Sequence, residues 1–149
     1  MDDILTSRFA GPRSPLNMQL GYFFLRAMIG GMLFSHGFMR VLTGLGAWEG
    51  PMAVTFEETY LPMPLVHGAL YLIPLAELVI GVLTLLGLFT RWALLAGVAL
   101  FCVLLYGHMV RQSWATGHVI VHYGVYYWLL FVLQRYNWLA LDNVRTRSN

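Results

Sequence analysis

The sequence predicts an all-α integral membrane protein, a four-helix bundle with both termini in the cytoplasm. Three observations predict it. Hydrophobic residues make up 58% of the 149-residue chain and charged residues only 11%, against roughly 25% in soluble domains, so a water-soluble fold could not cover its own surface. Four segments reach the roughly 20 apolar residues that a helix needs to cross a hydrocarbon core about 30 Å thick, where no water satisfies the backbone. The arginines are distributed unevenly about those segments. At this length the chain is read as a single membrane domain, 1–149.

The first 19 residues, MDDILTSRFAGPRSPLNMQ, are polar and broken by Pro12 and Pro15. They lack the charged start, short apolar run and small-residue cleavage site of a secretory leader, so the first hydrophobic segment is expected to stay as a membrane helix. The spans are expected at about 20–42, 65–88, 92–110 and 119–139. Spans two and three, joined by Phe89-Thr90-Arg91, must be antiparallel neighbours. The outer loop, 43–64, is the one long connection. Within it, Met52 to Tyr60 reads either as a short interfacial helix, with Glu57 and Glu58 in water, or as ordered loop.

Orientation follows from the arginines. Arg8, Arg13, Arg91, Arg135, Arg145 and Arg147 fall on one side, Arg40 and Arg111 on the other. The richer side is expected to be cytoplasmic. Trp48, Tyr60, Trp92, Trp114, Tyr136 and Trp138 lie near span ends, as an aromatic belt requires. The net charge of +2, all of its positive side chains arginine and none in a basic run, gives no reason to expect nucleic acid. The single cysteine, Cys102, excludes an intrachain disulfide, a dithiol centre and a multi-thiolate metal site. It reads as a small buried hydrophobe.

An ionisable group inside a span costs about 3 kcal/mol or more unless paired or hydrated, so each one asks for a reason. Arg26 lies about 9 Å and Glu77 about 16 Å in from the cytoplasmic side, by helix rise, and contact between Arg26 and Glu77, direct or through one water, is expected. Gly30 and Gly81 follow these charges one turn on and would let the two backbones approach closely. Pro74 frees the Leu70 carbonyl of its helical donor. The charges read either as a polar site for a proton, quinone or anion, or as a pair that fixes the bundle's register.

All five histidines fall in the outer half of their helices: His36, His67, His108, and His118 with His122 one turn apart. Imidazole can bind metal or haem, move protons, or bond a quinone carbonyl, but this spacing is specific to none of them, and no metal site is assigned. Tyr126 shares a face with His122, and Tyr123 and Tyr127 are near neighbours. Glu77, His36 and His122 are the candidate catalytic residues. Arg26, Arg40, His108, His118 and Tyr126 are the candidate binding residues, with Arg40 set to hold an anion arriving from outside.

The stretch LRAMIGGMLFSHGFMRVL resembles the first helix of the DoxX family, and LAELVIGVLTLLGLFTRWAL resembles that family's second hairpin, with Glu77, Gly81, Gly87, Thr90 and Arg91 in order. The outer loop ending in LPMPLV fits as well, and the similarity covers roughly Leu20 to Leu139. The resemblance implies a small four-helix protein of the bacterial cytoplasmic (inner) membrane. Relatives include the membrane subunit of a thiosulfate:quinone oxidoreductase, which implies quinone as cofactor and a partner redox subunit or a homo-oligomer. The expected function is therefore the membrane subunit of a quinone-linked oxidoreductase. The alternatives are a proton-coupled transporter of small solutes and a purely structural assembly subunit.

Overall fold

The computed structural model describes residues 16–142. Within them the chain forms α1 (Leu16–Leu42), α2 (Leu45–Val54), α3 (Met63–Leu86), α4 (Thr90–Val110), α5 (Trp114–Val132) and a 3₁₀ turn, Gln134–Tyr136. The tail arginines Arg8, Arg13, Arg145 and Arg147 lie outside the described residues. Two of the helices, α3 and α4, are long and apolar enough by composition to cross a membrane. In α1 the apolar run is interrupted by Arg26, His36 and Arg40, and in α5 by His118 and His122. The exterior is apolar: Met28, Leu72, Trp92 and Trp128 are all more than half exposed, the reverse of a water-facing surface.

The element boundaries follow local chemistry. Gly44, at φ 95°, ends α1, and α2 begins one residue later. The short helix of the outer loop is therefore Leu45–Val54, not Met52–Tyr60. Its Ala53, with Phe56 just beyond, packs on Val66 and Leu70 of α3, so burial of an apolar face decides the position. α3 starts on Pro62 and Pro64 and ends at Gly87, which takes the left-handed conformation at φ 68°. The Leu88 amide then bonds back to the Leu83 carbonyl at 3.0 Å, a glycine-dependent helix stop. α5 begins five residues before the predicted span, because Gln112 at φ 54° reverses the chain at once. It also ends earlier, at Val132, and Tyr136, Trp138 and Leu139 lie beyond the helix.

The main core joins Ile29 and Leu33 of α1, Ile80 of α3, Leu94, Leu100 and Phe101 of α4, and Ile120, Tyr127 and Leu130 of α5. Tyr127 is fully enclosed; its ring lies on Gly97 and its hydroxyl donates to Thr84 Oγ1 at 3.3 Å. Cys102, predicted to be buried, is exposed. It lies on the outward face of α4, where a small thiol needs no partner.

α1 and α3 pack antiparallel at backbone contact. A Cβ on Gly30 would lie 2.8 Å from the Leu85 nitrogen, one on Gly37 would lie 2.6 Å from the Pro74 oxygen, and one on Gly81 would lie 2.6 Å from the Phe34 Cα. These three contacts fix the register. They set Glu77 level with Phe38, and Arg26 level with the turn after α3. The expected span ends misalign the two helices by about two turns, roughly 10 Å. Substitutions should report this contact. Gly37→Val and Gly81→Val should each lower stability by about 1–3 kcal/mol, as overpacking does, whereas Gly21→Ala, with open space around it, should be neutral in detergent thermal unfolding. Equal melting temperatures for all three would remove the glycines from the account of register.

Candidate functional site

Two polar clusters lie at opposite ends of the α1–α3 pair, and each holds one of the two charges that the sequence expected to meet. Arg26 and Glu77 do not touch, since the register separates their levels by about 18 Å of helix rise.

Arg26 is 2% exposed and is held by the segment after α5. Its guanidinium donates to Asn137 Oδ1 and to the Leu139 carbonyl, and it lies against Gly87, where any side chain would displace it. Asn137 Nδ2 donates to Thr90 Oγ1 at 3.0 Å. The Thr90 hydroxyl donates to Asp142 Oδ2, and the Phe89 and Thr90 amides donate to the two Asp142 oxygens, each at 2.8 Å. α4 opens on Phe89 with no side-chain cap of its own, and Asp142 does the work of an N-cap from the far end of the chain. Arg26 is therefore part of a latch between helix ends. Burial tends to raise the Asp142 carboxyl, but the bonds from Thr90 and Phe89, with the Arg26 charge, outweigh it and hold the group below its ordinary value of 3.8.

Glu77, 3% exposed, is paired with Arg40 instead. Arg40 lies one turn beyond His36 on α1, and its guanidinium stacks on the Trp48 ring at 4.4 Å from the centroid. α2 thus covers the ion pair from outside. Beside the pair is a cavity of about 260 Å³. Its polar lining is His36 and Arg40 from α1, Glu77 from α3, His108 from α4, and Thr116 and Tyr123 from α5. Met32, Leu33, Phe101, Leu104 and Ile120 supply apolar walls.

The structure thus brings Glu77, His36, Arg40 and His108 together and leaves four predicted residues elsewhere. His118 and His122 share a face, with ring centroids 6.0 Å apart, but both are exposed, and so is Tyr126. α5 buries the Ile120, Tyr127, Leu130 stripe, which turns Tyr123 inward in place of Tyr126. Arg26 belongs to the latch. His67 is also exposed and pairs with the buried Glu49 of α2.

Four of the histidines share a hydrogen-bonding pattern. The Nδ1 of His36 bonds the Met32 carbonyl at 2.9 Å, that of His108 the Leu104 carbonyl at 2.8 Å, and that of His122 the His118 carbonyl at 2.8 Å; His118 does the same to Trp114 at 3.4 Å. Among the described residues, no group of three His, Cys, Asp or Glu side chains could hold a metal ion.

Sequence reasoning missed Glu49, Thr116, Asn137 and Asp142. A signal existed for the last of these: a helix starting at Thr90 after Leu-Phe has no local capping side chain, so a partner had to come from elsewhere. Nothing comparable marked Glu49.

The family model for DoxX matches residues 21–109. The chain belongs to the DoxX family. The match covers α1 to α4 up to Met109, and so includes His36, Arg40, Glu77 and His108, while Thr116 and Tyr123 lie outside it. This DoxX protein is a membrane protein, and its apolar exterior is a lipid-facing one. Comparison with curated proteins and with solved structures found no match.

Two predictions follow from the clusters. Removing one member of a buried pair strands the other charge at about 3–5 kcal/mol, so Arg40→Met and Glu77→Gln should each destabilise the DoxX protein, and the double variant should lose less than their sum. Arg26→Met with Glu77→Gln should be additive; coupling there and none between Arg40 and Glu77 would overturn the register. For the latch, the lowered carboxyl of Asp142 means that its contribution is fully present above pH 3.8 and is lost as pH falls through the folded value. Hydrogen exchange of the Phe89 and Thr90 amides, corrected for intrinsic rates, should show that acid step. Asp142→Asn should lack it and exchange faster at neutral pH; unchanged protection in this variant would rule the cap out.

Proposed function

We propose that this DoxX protein is the membrane subunit of a quinone-linked oxidoreductase in a bacterial cytoplasmic membrane, with thiosulfate the first electron donor to try. The observation that carries the reading is the cavity: an ion pair, two imidazoles, a hydroxyl and a phenol gathered around one opening in an otherwise apolar bundle, with His36 and Thr116 at its exposed edge. Polar groups are kept at membrane depth when they bind, conduct or react. The donor set suits a quinone headgroup, which needs hydrogen-bonding partners at its oxygens and a path for protons. A single ring suits the space as well, since about 260 Å³ is slightly below the roughly 300–1,000 Å³ of drug-sized sites.

In this reading a bound quinone supplies the electron-carrying chemistry, and the chain's residues bind and handle protons. Arg40 pairs with Glu77 and holds in place the carboxyl that handles protons at the site. His36 and His108 exchange protons at Nε2, the ring nitrogen that the backbone bond leaves free. Phe101, Leu104 and Ile120 exclude water. The electron donor's centre belongs to a partner subunit or to a second copy of the chain. Four spans with both ends in the cytoplasm complete the reading. Two features support that orientation: Arg91 and Arg135 lie at one end of the bundle. The arginines at the other end are engaged by aromatic rings, Arg40 over Trp48 and Arg111 over Phe56 at 4.8 Å, so they are not free loop charges of the kind that set topology.

Quinone-reduction assays on membranes with matched amounts of folded protein test the reading. Glu77→Gln should lower turnover by about 100-fold or more, the scale of a lost proton-handling group, while His67→Ala, outside the cavity, should stay within about two-fold of the unaltered protein. Normal turnover in both the Glu77→Gln and His36→Ala variants would make the chain an anchor only.

A further inference from the structure

The hydrogen-bond pattern of the imidazoles determines which form of a ligand the cavity can hold. A backbone carbonyl only accepts, so a ring nitrogen bonded to one carries the hydrogen. His36 Nδ1 is bonded to the Met32 carbonyl and His108 Nδ1 to the Leu104 carbonyl. In a neutral imidazole the other nitrogen then has a lone pair and no hydrogen. Each ring turns Nδ1 toward its own helix and so presents Nε2, an acceptor, to the cavity it lines. The other groups facing that space are Glu77 from α3, a further acceptor; Arg40 from α1; and Thr116 and Tyr123 from α5. Arg40 is committed to Glu77 and to the face of Trp48. The imidazole Nε2 atoms and the Glu77 carboxylate accept, the one guanidinium is already engaged, and the Thr116 and Tyr123 hydroxyls can donate as well as accept.

A quinone has two carbonyl oxygens and can only accept. Its reduced form has two hydroxyls and donates from both. Placing an acceptor-only headgroup against acceptor nitrogens leaves those nitrogens unpaired in the complex, whereas the dihydroxy headgroup satisfies them. We infer that the cavity between α1, α3, α4 and α5 is a site for the reduced, dihydroxy form of a single-ring quinone headgroup, with its hydroxyls donating to Nε2 of His36 and His108. This rests on the quinone reading above and refines it: the site discriminates between the two redox forms of its ligand.

The test is equilibrium binding, without air, of a short-chain benzoquinol and of the matching benzoquinone to the full-length protein in nanodiscs. The quinol should bind at least about ten-fold more tightly than the quinone near pH 8. Replacing both acceptors (His36→Phe with His108→Phe) should remove the discrimination. His36→Gln, whose amide can donate as well as accept, should narrow the ratio. Both residues hydrogen-bond within their own helices, and a circular-dichroism melt checks that the variants fold. Equal or tighter binding of the quinone near pH 8 would overturn this inference and leave the quinone reading standing. Binding of neither form would sink both. A quinol preference that persists in the double variant would move the site out of this cavity.

Discussion

The backbone contact between α1 and α3 is the constraint on which the rest of the structure depends. Gly30, Gly37 and Gly81 let two helices lie closer than any side chain allows, and in lipid such close packing is the main source of helix association, because burying apolar surface there gains nothing. The contact sets the level of every residue on both helices at once. It brings Arg40 to Glu77 and carries Arg26 past the end of α3 to the turn that Asp142 caps. Pro74 contributes directly: its carbonyl is among the atoms facing Gly37, so the residue that disturbs the α3 hydrogen-bond ladder also packs against α1.

Much of the fold was legible in the sequence because hydropathy and helix-ending residues are local signals. The long helices, the tight α3–α4 turn and the small-residue seam could all be read from runs of apolar residues and from the positions of glycine and proline. The site was only partly legible. Glu77, His36, Arg40 and His108 were singled out because a charge or an imidazole in an apolar run needs an explanation. Their grouping depended on register, which hydropathy does not encode, and an error of two turns was enough to give Glu77 the wrong partner. On α5 the difficulty was rotational. His122 with Tyr126 and Tyr123 with Tyr127 are two equally regular faces, and only the packing of Tyr127 against Gly97 and Thr84 selects the second. Asn137 and Asp142 act on residues about fifty positions away, beyond any local pattern.

The two ends of the molecule handle buried charge differently. At the Arg26 end two guanidinium nitrogens and both carboxylate oxygens are bonded to backbone groups and fixed side chains, an arrangement that rigidifies. At the Glu77 end the ion pair borders open space, with two imidazoles and a phenol arranged around it. One end is a fastening and the other a place where a small molecule can exchange hydrogen bonds with the protein. Stability and ligand chemistry are thereby assigned to different layers of one bundle.

The cap on α4 also has a consequence for how the chain is made. Asp142 follows α5, so the first amides of α4 wait for their partner until α5 and the segment after it have left the ribosome. The α3–α4 hairpin must enter the bilayer with that helix end unsealed, its exposed amides hydrated at the interface. Docking of the segment after α5 over Arg26 then follows insertion of the helices, and a chain cut short before Asp142 would insert its helices and still lack the closure that holds them in order.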